Sequence, residues 1–140
     1  MASGATLATL FPACGDGSSS PTSPSGMASA LGVVAGRFTN SRVQVTVDGS
    51  ALAAVGGAVL VESTAGVFLL ARIGASAFSA VEAVCTHEGC TINGAAGDIY
   101  VCPCHGSRYT RSGQVVEGPA RAALRQYVTT VSDGVVTIAL

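Results

Sequence analysis

Four of the five cysteines, Cys85, Cys90, Cys102 and Cys104, and both histidines, His87 and His105, fall within one short stretch of a 140-residue chain. They form two boxes, Cys85-Thr86-His87-Glu88-Gly89-Cys90 and Cys102-Pro103-Cys104-His105-Gly106-Ser107. Each box sets a histidine within three residues of a cysteine on a glycine-containing loop, where backbone amides can turn inward. Thiolates and imidazoles are the ligand set of zinc, copper and iron–sulfur centres. The spacing excludes an all-thiolate zinc ribbon. A zinc site of two cysteines and two histidines stays open, as does a pair of ordinary disulfides with two surface histidines. Both are redox-silent, so a visible spectrum separates them from an iron–sulfur centre. The fifth cysteine, Cys14, stands alone, and an odd count means that at least one thiol does not pair within the chain.

The elements around the boxes read as short strands. Arg42-Val43-Gln44-Val45-Thr46-Val47 alternates with period two and ends at Asp48-Gly49, which predicts a half-buried strand and a turn. Ala58–Val61 and Gly66–Ala71 predict a hairpin around residues 62–65, and Tyr127–Val131 with Val135–Ile138 predict another around Ser132-Asp133-Gly134. No segment from residue 36 onward sustains a 3.6-residue period over three turns. The expected fold is therefore all-β, an antiparallel sandwich or barrel over residues 36–140, without internal repeats.

Composition narrows the function further. One hundred and forty residues make one domain with one site. Hydrophobic residues are 49% but aromatics only 5%, so the core is built from small side chains. Seven arginines against eight acidic residues give net charge −1, too little positive field for a phosphate backbone, and nucleic acid is excluded as an expected partner. Residues 15–30 are rich in Gly, Ser and Pro and read as a flexible tether within an N-terminal region 1–35. The run before Cys14 is far below the ~18 apolar residues that span a bilayer.

The two boxes resemble those of the Rieske [2Fe–2S] family, C-T-H-x-G-C and C-P-C-H-G-S, and the resemblance extends over roughly residues 36–140. It implies a Rieske-type fold with a small cluster-binding subdomain, Cys85 and Cys102 on one iron, His87 and His105 on the other, and a Cys90–Cys104 disulfide tying the loops together. Such a centre carries single electrons, at potentials of about −150 to +300 mV. No catalytic residue and no substrate site of its own are expected. By the same resemblance Ser107 donates to a bridging sulfide, Tyr109 donates to the sulfur of Cys85, and Gly118-Pro119-Ala120 forms a loop covering the cluster. The disulfide with Ser107 and Tyr109 is similar to the high-potential branch found in cytochrome bc and b6f complexes and in arsenite oxidase small subunits. Rieske ferredoxins that feed oxygenases usually lack that bridge.

A disulfide implies an oxidising compartment, so the expected location is extracytoplasmic or periplasmic. Glu88 departs from the bc-type pattern, which has leucine there. A carboxylate beside His87 favours the oxidised, more positive centre and must be desolvated to enter a quinol pocket. The expected partners are therefore redox proteins, whether a cytochrome, a copper protein or a large oxidoreductase subunit, with quinol as the alternative. Leu10–Asp16 loosely resembles a lipobox, making lipid attachment at Cys14 one expectation and a signal-peptide remnant another.

Overall fold

The computed structural model describes residues 28–140; the region 1–27, with Cys14 and most of the expected tether, lies outside the described residues. Thirteen strands follow in chain order: β1 (Ser29–Ala30), β2 (Gly32–Ala35), β3 (Arg37–Thr39), β4 (Arg42–Thr46), β5 (Ala58–Ser63), β6 (Gly66–Arg72), β7 (Phe78–Glu82), β8 (Gly94–Ala96), β9 (Ile99–Val101), β10 (Arg108–Thr110), β11 (Val115–Glu117), β12 (Gln126–Ser132) and β13 (Val135–Ala139). The one helical element among them is a 3-10 turn at Ala51–Ala53, capped by the Ser50 hydroxyl. An eight-stranded sheet runs β2-β5-β6-β7-β12-β13-β4-β3, and a five-stranded sheet runs β1-β8-β9-β10-β11.

The three predicted strand regions are all present. In β4, Val43 and Val45 are buried while Arg42, Gln44 and Thr46 face water, as the alternation requires. β5 and β6 pair antiparallel from Ala58↔Ala71 to Ser63↔Gly66, and β12 pairs with β13 around Asp133-Gly134, where both residues take positive φ. The continuous apolar runs of β5 and β6 also have a cause. Leu60, Leu69 and Ala71 face one core and Val59, Val61, Phe68 and Leu70 face the other. A strand buried on both faces needs no polar alternation.

The all-β expectation holds, and two details of the strand arrangement add to it. The fold is not wholly antiparallel, because β2 pairs parallel with β5 from Gly32↔Val59 to Ala35↔Glu62. Nor does it begin at residue 36. Ser29–Ala30 pairs with Gly94–Ala95 of β8, and β2 is already part of the larger sheet. These strands are too short, two and four residues, for a period to register, and they lie at sheet edges where no side chain is buried. Residues 29–39 thus run as one extended segment from the small sheet, across one edge of the large sheet, to its other edge at β3, and so bring the large sheet close to closure. The crossing point is Gly36, whose amide donates to the Glu62 carbonyl. A Cβ there would lie 2.5 Å from Val43 Cγ1 and 2.8 Å from Val61 Cγ1, so the passage admits only glycine.

The barrel interior holds one core, with Val43, Val45, Leu52, Val59, Val61, Leu70, Val136 and Ile138. The second core joins the outer face of β5–β7 to the five-stranded sheet, and Cys85, Cys102, Tyr100 and Tyr109 are part of it. The two boxes are therefore mounted on a packed interface between sheets.

Candidate metal centre

The first box lies between the end of β7 and the start of β8, and the second joins β9 to β10, so the small sheet presents both at one end. Their backbones repeat one design. The Cys85 amide donates to the Cys90 carbonyl and the Gly89 amide to the Cys85 carbonyl; in the second box Cys102 donates to Ser107 and Gly106 to Cys102. In both loops the amides two and three residues past the cysteine point back at its sulfur: His87 and Glu88 at Cys85, Cys104 and His105 at Cys102. Amides so aimed stabilise a thiolate.

The cysteines are free, buried and 2–3% exposed. Burial opposes ionisation of Cys85, but the Tyr109 hydroxyl, the His87 amide, the Cys102 thiol and the Glu88 amide together outweigh it and hold the thiol below its ordinary value. Cys102 is pushed up, by burial first and by the neighbouring Cys85 thiol. Two thiols that compete for one negative charge are a donor pair that a cation would satisfy. Above them the exposed rings of His87 and His105 stand edge to face, with centroids 5.0 Å apart. Buried soft donors below and exposed imidazoles above fit an iron–sulfur centre with one face toward solvent. Cys90 and Cys104 are joined in a disulfide with Cα atoms 6.5 Å apart, fastening one loop to the other.

The remaining site residues surround this group. Tyr109, fully buried, places its hydroxyl 3.2 Å from Cys85 Sγ. Ser107, the one buried polar residue among those described, accepts the Ala120 amide through its Oγ at 3.1 Å, leaving its own proton free. Gly118, with φ of +102°, lies so close to Ser107 that a Cβ would sit 2.6 Å from the Ser107 Cα. Pro119 is exposed and lines an open groove with Thr86, His87 and Arg121. Glu88 is also exposed and reaches across to the other box, with its Oε2 3.5 Å from His105 Nδ1, while ligand atoms of His87, Glu88 and His105 all lie within 4.8 Å of one another. Sequence reasoning found Ala120 as part of the covering loop but missed the roles of Thr86 and Ala122. Thr86 Oγ1 donates to the Ala122 carbonyl at 2.7 Å and lies 3.2 Å from the Tyr109 hydroxyl. Ala122 acts through a main-chain atom, which leaves no mark on residue type.

Known proteins place this arrangement. The cytochrome b6-f complex iron-sulfur subunit of Chlorobaculum tepidum is 40% identical over 63 residues, 44% of this chain and 35% of that protein. The corresponding chloroplastic subunit of Oryza sativa subsp. japonica is 47% identical over 55 residues, 39% of this chain and 24% of that protein. These matches thus span about a third or less of the relatives' own length. The crystal structure of the cyanobacterial plasma membrane Rieske protein PetC3 from Synechocystis PCC 6803 superposes with a TM-score of 0.54 at 34% identity, covering 59% of this chain and 86% of that one. Residues 39–128, which include both boxes, the disulfide and the covering loop, match the Rieske [2Fe-2S] domain. With well over half of its length matched and the paired loops in place, the chain belongs to the Rieske [2Fe–2S] family.

Proposed function

We propose that this protein carries single electrons between redox partners through a [2Fe–2S] cluster held by Cys85 and Cys102 on one iron and His87 and His105 on the other. The observation that carries the reading is the meeting of two free buried thiols with two exposed imidazoles on loops of matching hydrogen-bond pattern. When bound, the cluster supplies reversible one-electron storage at a potential raised by imidazole ligation. The chain's own part is to aim amides at both sulfurs, exclude water beneath them with the second core, and offer the histidine end as the contact surface. The Cys90–Cys104 bridge supports a location in an oxidising, extracytoplasmic compartment. Among the described residues no helix is long and apolar enough to cross a membrane.

Protein partners are favoured over quinol by Glu88. Its carboxylate is 56% exposed at the histidine end. In an apolar pocket it would be desolvated, whereas at a protein interface it can face an arginine or lysine. The likeness to b6-f subunits keeps a quinol-oxidising role in a bc-type complex as the second reading.

The test is redox titration followed by optical and EPR spectroscopy of the purified protein. The expected result is about two irons and two sulfides per chain, a rhombic signal on reduction, and a midpoint above −100 mV, with signal and colour lost in His87→Ala and in His105→Ala. A normal cluster in either variant refutes the ligand assignment. Rapid oxidation of a quinol analogue, unaffected by Glu88→Leu and faster than transfer to a small cytochrome or copper protein, refutes the protein-to-protein reading.

A further inference from the structure

Three polar groups and one loop form a hydrogen-bonded chain beside Cys85. Thr86 Oγ1 lies 2.7 Å from the Ala122 carbonyl oxygen, Tyr109 Oη lies 3.2 Å from Thr86 Oγ1, and Tyr109 Oη lies 3.2 Å from Cys85 Sγ. The protons on this chain can be counted. A carbonyl only accepts, so the Thr86 proton goes to Ala122. Thr86 then has lone pairs but no proton to offer Tyr109. A cluster-bound cysteine sulfur has no proton either. Both contacts of the Tyr109 hydroxyl must be filled by its single proton, and the two acceptors stand at equal distance.

We propose that Thr86 competes with the Cys85 sulfur for the one proton of Tyr109, and that through this competition the seating of the covering loop at Ala122 adjusts how readily the centre accepts an electron. The inference rests on the reading that Cys85 ligates the cluster. A hydroxyl given wholly to the sulfur stabilises the extra negative charge of the reduced state, and one shared with Thr86 stabilises it less. Thr86 therefore holds the midpoint below the value that Tyr109 alone would set. While the Ala122 carbonyl takes the Thr86 proton, the threonine oxygen is fixed as an acceptor. When the loop lifts, Thr86 can turn and donate to Tyr109 instead, and the full Tyr109 proton passes to the sulfur. The residue is a positioning residue, because it acts on the sulfur only through Tyr109.

The consequence runs against the usual result of deleting a hydrogen bond near such a centre. Thr86→Val removes the competing oxygen, and because Thr86 is exposed the Ala122 carbonyl it abandons can turn to water. The experiment is titration of the cluster-loaded protein by EPR and visible circular dichroism, in wild type, T86V, T86A, T86S, Y109F and the double variant T86V/Y109F. The expected result is an upward midpoint shift in T86V and T86A of roughly threefold in the oxidised-to-reduced ratio, equivalent to about 30 mV at 59 mV per tenfold. T86S keeps the wild-type value, Y109F falls below it, and T86V/Y109F equals Y109F. A midpoint that falls or stays put in T86V, or a T86V shift that survives in the Y109F background, overturns the competition. So does loss of the cluster from both T86V and T86A, since removal of a competitor should strengthen the contact to Cys85. A Y109F midpoint equal to wild type fails differently, because it refutes the placement of Cys85 and Tyr109 at the cluster.

Discussion

Gly118→Ala tests whether the covering loop is held where the structure places it. The new Cβ would stand 2.6 Å from Ser107 Cα, 3.0 Å from Ser107 N and 3.2 Å from the Gly106 carbonyl oxygen, all backbone atoms that no side-chain rotation can move. The φ of +102° adds a conformational penalty of about 1–3 kcal/mol for a residue with a side chain. Overpacking against fixed atoms adds about 1–3 kcal/mol more. The forces that seat the loop are smaller: the Ala120 amide on Ser107 and the Thr86 hydroxyl on Ala122 contribute about 0.5–1.5 kcal/mol each. Burial of the Ala120 side chain adds about 0.8 kcal/mol. At mid-range the penalty, about 4 kcal/mol, exceeds the hold, about 3 kcal/mol, so the loop should lift rather than the second box deform. Hydrogen exchange followed by mass spectrometry is the assay. Exchange in the segment 117–123 should quicken by at least tenfold, since about 1.4 kcal/mol is a factor of ten, while β5 and β6 keep their protection. Colour should also bleach sooner in mild denaturant. Unchanged exchange in that segment, together with an unchanged bleaching rate, refutes the account of Gly118.

Converting Cys90 and Cys104 together to serine opens a cross-link of sequence separation 14 and should lower stability by about 3 kcal/mol, read as an earlier denaturant midpoint. A change below ~1 kcal/mol would mean that the loops are fastened by other contacts. Tyr100→Phe should be near neutral at pH 7, because the buried Tyr100 hydroxyl makes no well-formed hydrogen bond and has only the Arg111 guanidinium beside it. Burial also pushes that hydroxyl above its ordinary value of 10.0, against the Arg111 guanidinium beside it. A pKa raised by folding gives stability that is complete below the unfolded value and lost as pH rises toward the folded one. The variant should therefore lose less stability than wild type above pH ~10. An equal alkaline loss in both proteins would remove Tyr100 from the cause.

Residue types reveal the parts of this molecule that act through side chains at fixed spacing. The boxes announce Cys85, His87, Cys102 and His105 because soft ligands are rare and cluster here, and the hairpins announce themselves through alternation and through Asp133-Gly134. The sheet that carries the boxes is far less legible. β8 to β11 are three residues each, too short for a period to register, and β1 and β2 are only two and four residues long, continuous with a Ser/Gly-rich stretch. The parallel pairing of β2 with β5 joins segments some 27 residues apart, and no local pattern encodes it. The relay through Thr86 and Ala122 was invisible for a different reason. Its acceptor is a carbonyl, which every residue has, and only the fold says which carbonyl is within reach.

The strand that passes Gly36 has a mechanical meaning as well. A pull applied at Ala28 acts along residues 29–39, whose backbone bonds reach β8, β5 and β4. Bonds lying across such a pull are loaded in shear and share the force, whereas a hairpin opened from its end yields one rung at a time. A tension transmitted from the N-terminal side would reach the small sheet first, at Ser29–Ala30, and the barrel next. The small sheet that carries the boxes and the barrel would thus be drawn together.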